Sequence, residues 1–221
     1  MYIYIMRHGE TAWNKAGKIQ GSSDIALTDL GRELAVLSGE GFRRDGIFFD
    51  RIYTSPLSRA AETAAIVAEK AGNPSAPEPF LITDERLREM CFGNYEGAVL
   101  RDLKETDENI VRCFSKPSQY VPDPTGESSG HLFSRIDRFM EDILLPLEQE
   151  SGLEHVLVLC HGTVIRAFLA RIKGTELDDF WNVCQPNCSI NKIELKNGKF
   201  SCIQERILYY ESADLENRGI L

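Results

Sequence analysis

Arg7-His8-Gly9-Glu10-Thr11 follows directly on the apolar run Tyr2-Ile3-Tyr4-Ile5-Met6, so a basic pair sits where a buried strand would end. In open α/β sheets ligands bind outside the carboxyl ends of the strands. A histidine beside a permanently charged arginine there suits a phosphate-binding catalytic group. The arrangement recurs late in the chain, where His155-Val156-Leu157-Val158-Leu159-Cys160 is followed by His161-Gly162. A third strand end, Tyr53-Thr54-Ser55-Pro56, precedes an alanine-rich helical stretch whose first turn carries Arg59. Arginine's planar fork matches phosphate oxygens, and amides of helices opening near Arg59 and Gly162 would add an anion-binding field. The same cations disfavour a charged His8, leaving an imidazole nitrogen free to attack phosphorus. Expulsion of an alkoxide then needs a proton donor, which a basic cluster cannot supply. The candidate carboxyl group lies in Leu87-Arg88-Glu89-Met90-Cys91-Phe92-Gly93-Asn94-Tyr95-Glu96-Gly97.

These groups need a scaffold that brings distant strand ends together. Apolar runs at 2–6, 49–53, 80–83, 156–160, 189–195 and 200–207 read as strands, and the early ones alternate with helical patterns, which argues for a layered α/β fold. Thr28 is the expected N-cap of a helix carrying Leu30, Leu34 and Leu37 and ending at Gly39/Gly41. Residues 58–70 predict a second helix, stopped by Gly72. A long helix is expected from about Glu127 to Gln149, with Leu132, Ile136, Phe139, Ile143 and Leu144 on one face and a bend at Pro146. Between 94 and 126 a polar pattern broken by Pro117, Pro122 and Pro124 predicts a lid-like helical insertion over the sheet. The charged residues 211–218 are expected to fray. No repeat or linker is evident, so 1–221 reads as a single domain.

Composition narrows the function. With 221 residues, 43% hydrophobic and 27% charged, the chain is that of a globular protein with room for a sizeable core. A net charge of −9 opposes nucleic acid and anionic membranes, so arginines must locally overcome the global sign to hold a phosphate. No run approaches the roughly 18 apolar residues of a membrane helix, and the N-terminal run is too short for a signal peptide. A cytoplasmic protein is expected, with its six cysteines reduced. Cys184 and Cys188 form the only close pair, a weak metal signal without a second pair or a histidine at suitable spacing.

The motifs resemble the histidine phosphatase, or phosphoglycerate mutase-like, superfamily. Arg7-His8-Gly9-Glu10-Thr11 with Asn14, Gln20-Gly21 and Leu27-Thr28-x-x-Gly31 is similar to the family's opening block. Tyr53 to Thr63 is similar to its second, Leu87-x-Glu89 through Tyr95-Glu96-Gly97 to its third, and His161-Gly162 to its last. The resemblance implies a phosphohistidine on His8, a phosphate pocket of Arg7, Arg59 and His161, and Glu89 as proton donor and then base for water. Asn14 would contact the phosphate, Gly162 would line the pocket, and Thr11 and Gln20 would shape its rim. No metal or cofactor is implied. The expected fold is a three-layer α/β/α sandwich with a mostly parallel central sheet and a helical insertion over the active site. The expected enzyme is a phosphoric monoester hydrolase of the histidine acid type, acting on a small phosphorylated metabolite, with room for a homodimer.

Other readings use the same residues. Arg59 could pair with Glu62 on its own helix, and Glu89 could form a surface ion pair, leaving Glu85 or Glu96 as donor. His131 and His155 read as surface or capping residues. Cys160 to Arg166 satisfies the Cys-x5-Arg spacing of cysteine-dependent phosphatases, although six cysteines make a chance match easy. A cofactor-dependent phosphoglycerate mutase is the alternative reaction. The dedicated mutases carry adjacent arginines in a longer insertion, whereas this one offers Arg101, Lys104 and the solitary Arg112. A catalytically weak binding module on the same fold is the non-enzymatic alternative.

Overall fold

The computed structural model describes residues 1–72 and 81–211. The chain runs β1 (Tyr2–Arg7), a one-turn helix α1 (Ala12–Lys15), α2 (Asp29–Arg44), β2 (Arg51–Thr54), α3 (Ser58–Ala71) and β3 (Leu81–Thr83). It continues through α4 (Leu100–Thr106), α5 (Glu108–Ser115), α6 (Ser129–Phe139), α7 (Leu145–Leu147), β4 (His155–Cys160), α8 (Gly162–Lys173), β5 (Ile190–Lys196) and β6 (Lys199–Ile207). The six strands form one sheet of order β3-β2-β4-β1-β5-β6. Its first four members are parallel, while β5 runs antiparallel to both of its neighbours, β1 and β6. The expected strand start at Phe80 and the terminal segment beyond Glu211 lie outside the described residues.

Side-chain alternation along the central strands builds two cores. Tyr4, Met6, Leu157 and Leu159 face Leu34, Phe42, Ala60, Ala64 and Val67 of α2 and α3. Ile3, Ile5, Val156, Val158 and Cys160 face Ile136, Phe139, Val164 and Phe168 of α6 and α8. Helices therefore cover both faces, which is why β4 reads as a continuous apolar run instead of an alternating one. Among the described residues no helix is long and apolar enough to cross a membrane.

Two helix boundaries differ from the sequence expectation. The α2 helix does not stop at Gly39/Gly41 but runs on to Arg44, because these glycines are points of close approach: a Cβ on Gly39 would meet Lys70 and the Val67 carbonyl of α3, and one on Gly41 would meet the Tyr209 ring. The long helix begins at Ser129, capped by the Ser128 hydroxyl. It passes through a π-helical turn at Met140–Leu144 just before Pro146, whose missing N–H breaks the i→i−4 ladder. The 94–126 insertion is helical as expected, with α5 capped by Asp107, which accepts from Asn109 N and Ile110 N.

Parallel pairing positions the chemistry. Arg7 lies opposite Cys160 and Thr54 opposite Leu159, so β1, β4 and β2 release His8, His161 and Ser55 side by side at one edge of the sheet. The antiparallel β5 starts at that edge, delivering residues 185–189 to it. Gly9 and Gly31 clamp the β1 loop onto α2, since a Cβ on either would strike the other segment's backbone. The two helical glycines Gly31 and Gly130 should therefore respond oppositely to alanine. Gly130→Ala, whose added methyl meets nothing nearer than Ser128 Oγ at 3.9 Å, should stabilise by a few tenths to about 1 kcal/mol. Gly31→Ala should destabilise by about 1–3 kcal/mol. Urea unfolding midpoints measure both; equal shifts of the same sign would contradict the clamp.

Candidate active site

His8 is 2% exposed and its Nδ1 lies 2.6 Å from the Gly9 carbonyl oxygen. A carbonyl only accepts, so Nδ1 carries the proton and the lone pair resides on Nε2. Burial, then Arg59, then Arg7 hold the His8 pKa well below the usual imidazole range, with the Gly9 bond opposing. Desolvation is thus a larger cause than the cations from which the sequence reading reasoned. The His161 ring sits 5.1 Å from that of His8, and its Nε2 is 2.8 Å from Ser55 Oγ. Burial, Arg59 and His8 keep this second imidazole neutral as well.

Arg59 does not pair with Glu62, which instead accepts from Arg32 Nε at 2.6 Å. The Arg59 guanidinium is fully buried and donates to the carbonyls of Ser23 at 2.6 Å and Gly21 at 2.7 Å. Arg7 likewise donates to the Gln185 carbonyl at 2.6 Å. Burial lowers the pKa of Arg7, and lowers that of Arg59 to about 10, which leaves Arg59 charged at neutral pH. The loop presenting the Ser23 and Gly21 carbonyls is tied down by Glu96, whose carboxylate accepts from Ser22 N, Ser23 N and both hydroxyls. Gly21, at φ +54°, also leaves the space in which that carboxylate sits.

Glu89 lines the same cavity as His8, Arg7 and Arg59. Its Oε1 accepts from Met90 N at 2.9 Å, and its Oε2 from Thr163 N at 3.1 Å, in the first turn of α8. Of the alternative donors, Glu85 is an exposed partner of Arg88 and Glu96 is the loop anchor. The helix N-termini expected to face an anion are already engaged by carboxylates: Thr163 N by Glu89 and Ser58 N by Asp24 at 2.8 Å. Cys160 is buried in the α6/α8 core and its thiol pKa is pushed up by that burial, so it does not take part in a phosphate loop.

Arg7, His8, Asn14, Gln20, Arg59, Glu89 and Gly162 line one cavity of about 270 Å³. His161 stands behind His8 without lining it. Thr11 is buried as well and acts through neighbours, donating to Asn14 Oδ1 and Gln20 Oε1 at 3.1 Å. Sequence reasoning did not place Lys18, Thr163 or Asn187 at the site, and weighed Arg166 only as the arginine of a Cys-x5-Arg loop. Asn187 donates to the carbonyls of His8 at 3.0 Å and Gly9 at 3.1 Å, fixing the β1 loop; its only signal is a position just before β5. Arg166 lines the cavity one helical turn beyond Gly162 and donates to that residue's carbonyl at 2.9 Å. Its spacing from Gly162 could have revealed it. Arg7 Nε, Arg59 Nε and Arg166 Nε are buried without an acceptor among the described residues, so three guanidiniums keep donor capacity at one cavity. Such an arrangement can neutralise a phosphate dianion beside an unprotonated imidazole nitrogen.

Comparison with known proteins gives a consistent result. The sequence model of the histidine phosphatase superfamily (branch 1) matches residues 3–206. The chain is 32% identical over 222 residues to phosphoglycerate mutase-like protein 4 of Arabidopsis thaliana, covering 99% of this chain and 89% of that one. Among solved structures it resembles Bacillus stearothermophilus YhfR, with TM-score 0.80, 31% identity and coverage of 95% of this chain and 99% of the other. It also resembles a phosphoserine phosphatase mutant from Entamoeba histolytica in complex with phosphoserine, with TM-score 0.74, 27% identity and coverage of 93% and 96%.

Neutral buried histidines make folding pH-dependent. Unfolding returns both imidazoles to a pKa near 6.5, so below that value the unfolded chain takes up protons that the folded one does not. Stability should fall with falling pH by up to about 1.4 kcal/mol per pH unit for each histidine. Urea midpoints measured from pH 7.5 to 5 should show a steeper decline for the wild type than for a His8→Asn, His161→Gln double variant. Identical slopes would mean that these rings titrate in the folded protein as they do in the unfolded chain.

Proposed function

The chain belongs to branch 1 of the histidine phosphatase superfamily, and on that premise we propose that it is a phosphomonoesterase acting on a small phosphorylated metabolite through a phosphohistidine on His8. One observation carries the proposal. The His8 imidazole, its Nδ1 proton committed to the Gly9 carbonyl, lines one cavity together with Arg7, Arg59 and the Glu89 carboxyl group. In the reaction proposed, Nε2 attacks phosphorus in line with the ester oxygen while the guanidiniums take up charge on the equatorial oxygens. The P–O bond breaks and Glu89, entering in its acid form, protonates the departing alkoxide. Glu89 then takes a proton from water, whose oxygen attacks the phosphohistidine and releases inorganic phosphate and neutral His8.

Hydrolysis is favoured over mutase action by the surroundings of the insertion's cations. Arg101 is 84% exposed and bonds Asp102, Arg112 bonds Glu108, and Lys104 lies over the Phe114 ring. Leu100 and Phe114, not these cations, line the cavity from the insertion. A clamp for a substrate carboxylate, needed to hold and reorient a mutase intermediate, is not supplied there.

His8→Ala should lower turnover of p-nitrophenyl phosphate by roughly a thousandfold or more, because a nucleophile is lost. Cys160→Ser should retain catalysis, and the reverse ranking would transfer the nucleophile to the thiol. Glu89→Gln should slow alkyl phosphates at least about tenfold more than p-nitrophenyl phosphate, since an acid matters in proportion to the basicity of the departing oxygen. Steady-state rates on both esters test this; equal slowing would reduce Glu89 to a pocket-ordering residue.

A further inference from the structure

The cavity has two chemically different halves. Its floor is the cationic cluster. Its outer wall is built from apolar side chains of separate chain segments: Ile19, Phe92, Leu100, Phe114 and Trp181. The aromatic members brace one another, Phe92 stacking on Phe114 at 6.3 Å with an interplanar angle of 15°, and Phe114 meeting Trp181 at 4.6 Å. The cations near this wall pack on aromatic rings, although among the described residues Arg166 keeps an unpartnered Nε and Lys18 itself lines the cavity. Arg166 lies 4.9 Å over the Trp181 ring and bonds the Gly162 carbonyl, Lys104 packs on Phe114, and Lys18 lies 5.7 Å from the Trp13 ring. A group attached to a phosphate at His8 and reaching this wall would meet rings and hydrocarbon.

From this division we propose that Phe114 and Trp181 are specificity-determining residues selecting phosphomonoesters with an apolar, ring-bearing leaving group over those of small polar alcohols or hydroxy acids. The inference rests on the phosphomonoesterase reading and adds the substrate class to it. Desolvating a hydroxy acid's carboxylate against this wall is costly without a partner, whereas a ring gains apolar contact and an edge or face against two aromatics. The wall touches the leaving group and not phosphorus, so its contribution is uniform binding, which appears in KM.

The test compares propyl phosphate, 3-phenylpropyl phosphate and phosphoserine, all alkyl esters. The wild type should show kcat/KM at least about tenfold higher for 3-phenylpropyl than for propyl phosphate, carried by KM, the order expected for added apolar groups in a hydrophobic pocket. In Trp181→Ala and Phe114→Ala that ratio should fall toward one, and Trp181→Phe should restore much of it. Inhibition by inorganic phosphate checks in each variant that the floor still forms. A wild-type ratio near one, or a tenfold preference for phosphoserine, would overturn the inference and make Arg166 the reader of the leaving group. Should the protein hydrolyse none of these esters nor p-nitrophenyl phosphate, the phosphomonoesterase reading fails, and the wall is judged by calorimetry with non-hydrolysable phosphonates. There, tighter binding of 3-phenylpropylphosphonate than of propylphosphonate by about tenfold supports the assignment, and equal affinity refutes it.

Discussion

Positive charge buried with no carboxylate at ion-pair distance among the described residues is the constraint around which the site is arranged. A guanidinium removed from water costs several kcal/mol unless its donors are met, yet a carboxylate partner would neutralise the charge a phosphate requires. Backbone carbonyls resolve the conflict. Gln185 serves Arg7, Gly21 and Ser23 serve Arg59, and Gly162 serves Arg166. Carbonyl dipoles satisfy N–H groups while leaving the net charge in place. Each carbonyl sits in a loop or helix turn that must itself be held, which accounts for Glu96 binding the 22–23 loop and Asn187 binding the His8 and Gly9 carbonyls.

Burial, reinforced by those retained charges, governs the histidines. Two imidazoles 5.1 Å apart and beside two arginines remain uncharged because burial and the cations act in the same direction. The Gly9 carbonyl then decides which nitrogen of His8 keeps its lone pair. Close approach of the Gly9 and Gly31 backbones ties that carbonyl's loop to α2, so the tautomer depends on a steric feature of two glycines as well as on electrostatics. Glu89 is anchored independently, by the first turn of α8. Glu89 and His8 are thus set by different parts of the scaffold and meet only at the cavity.

The strand ends, the family and most elements were legible because each is encoded locally. A buried strand needs a run of apolar residues, a helix needs its caps and spacing, and a phosphate site needs short, specific combinations such as Arg7-His8-Gly9 and His161-Gly162. Gly39 and Gly41 misled for an equally physical reason. Glycine marks a helix end when the backbone needs a positive φ, but it also marks a close approach, and only the neighbour, here α3 or Tyr209, distinguishes the two.

By itself the sequence determined the α/β layering, the two His-Gly strand ends, the cationic character of the site and membership of a superfamily, since these follow from residue type and near-neighbour spacing. Tertiary structure alone decided that Arg59 turns to the Gly21 and Ser23 carbonyls instead of Glu62, that Glu89 and not Glu85 or Glu96 reaches the cavity, and that Thr11 and His161 support it from behind. It also brought Arg166, Trp181 and Asn187 to the site. Most of these depend on contacts between segments tens to more than a hundred residues apart, whose geometry is set by sheet order and helix packing; Thr11 and Arg166 have local partners as well, but only the packing of distant segments brings them to the cavity.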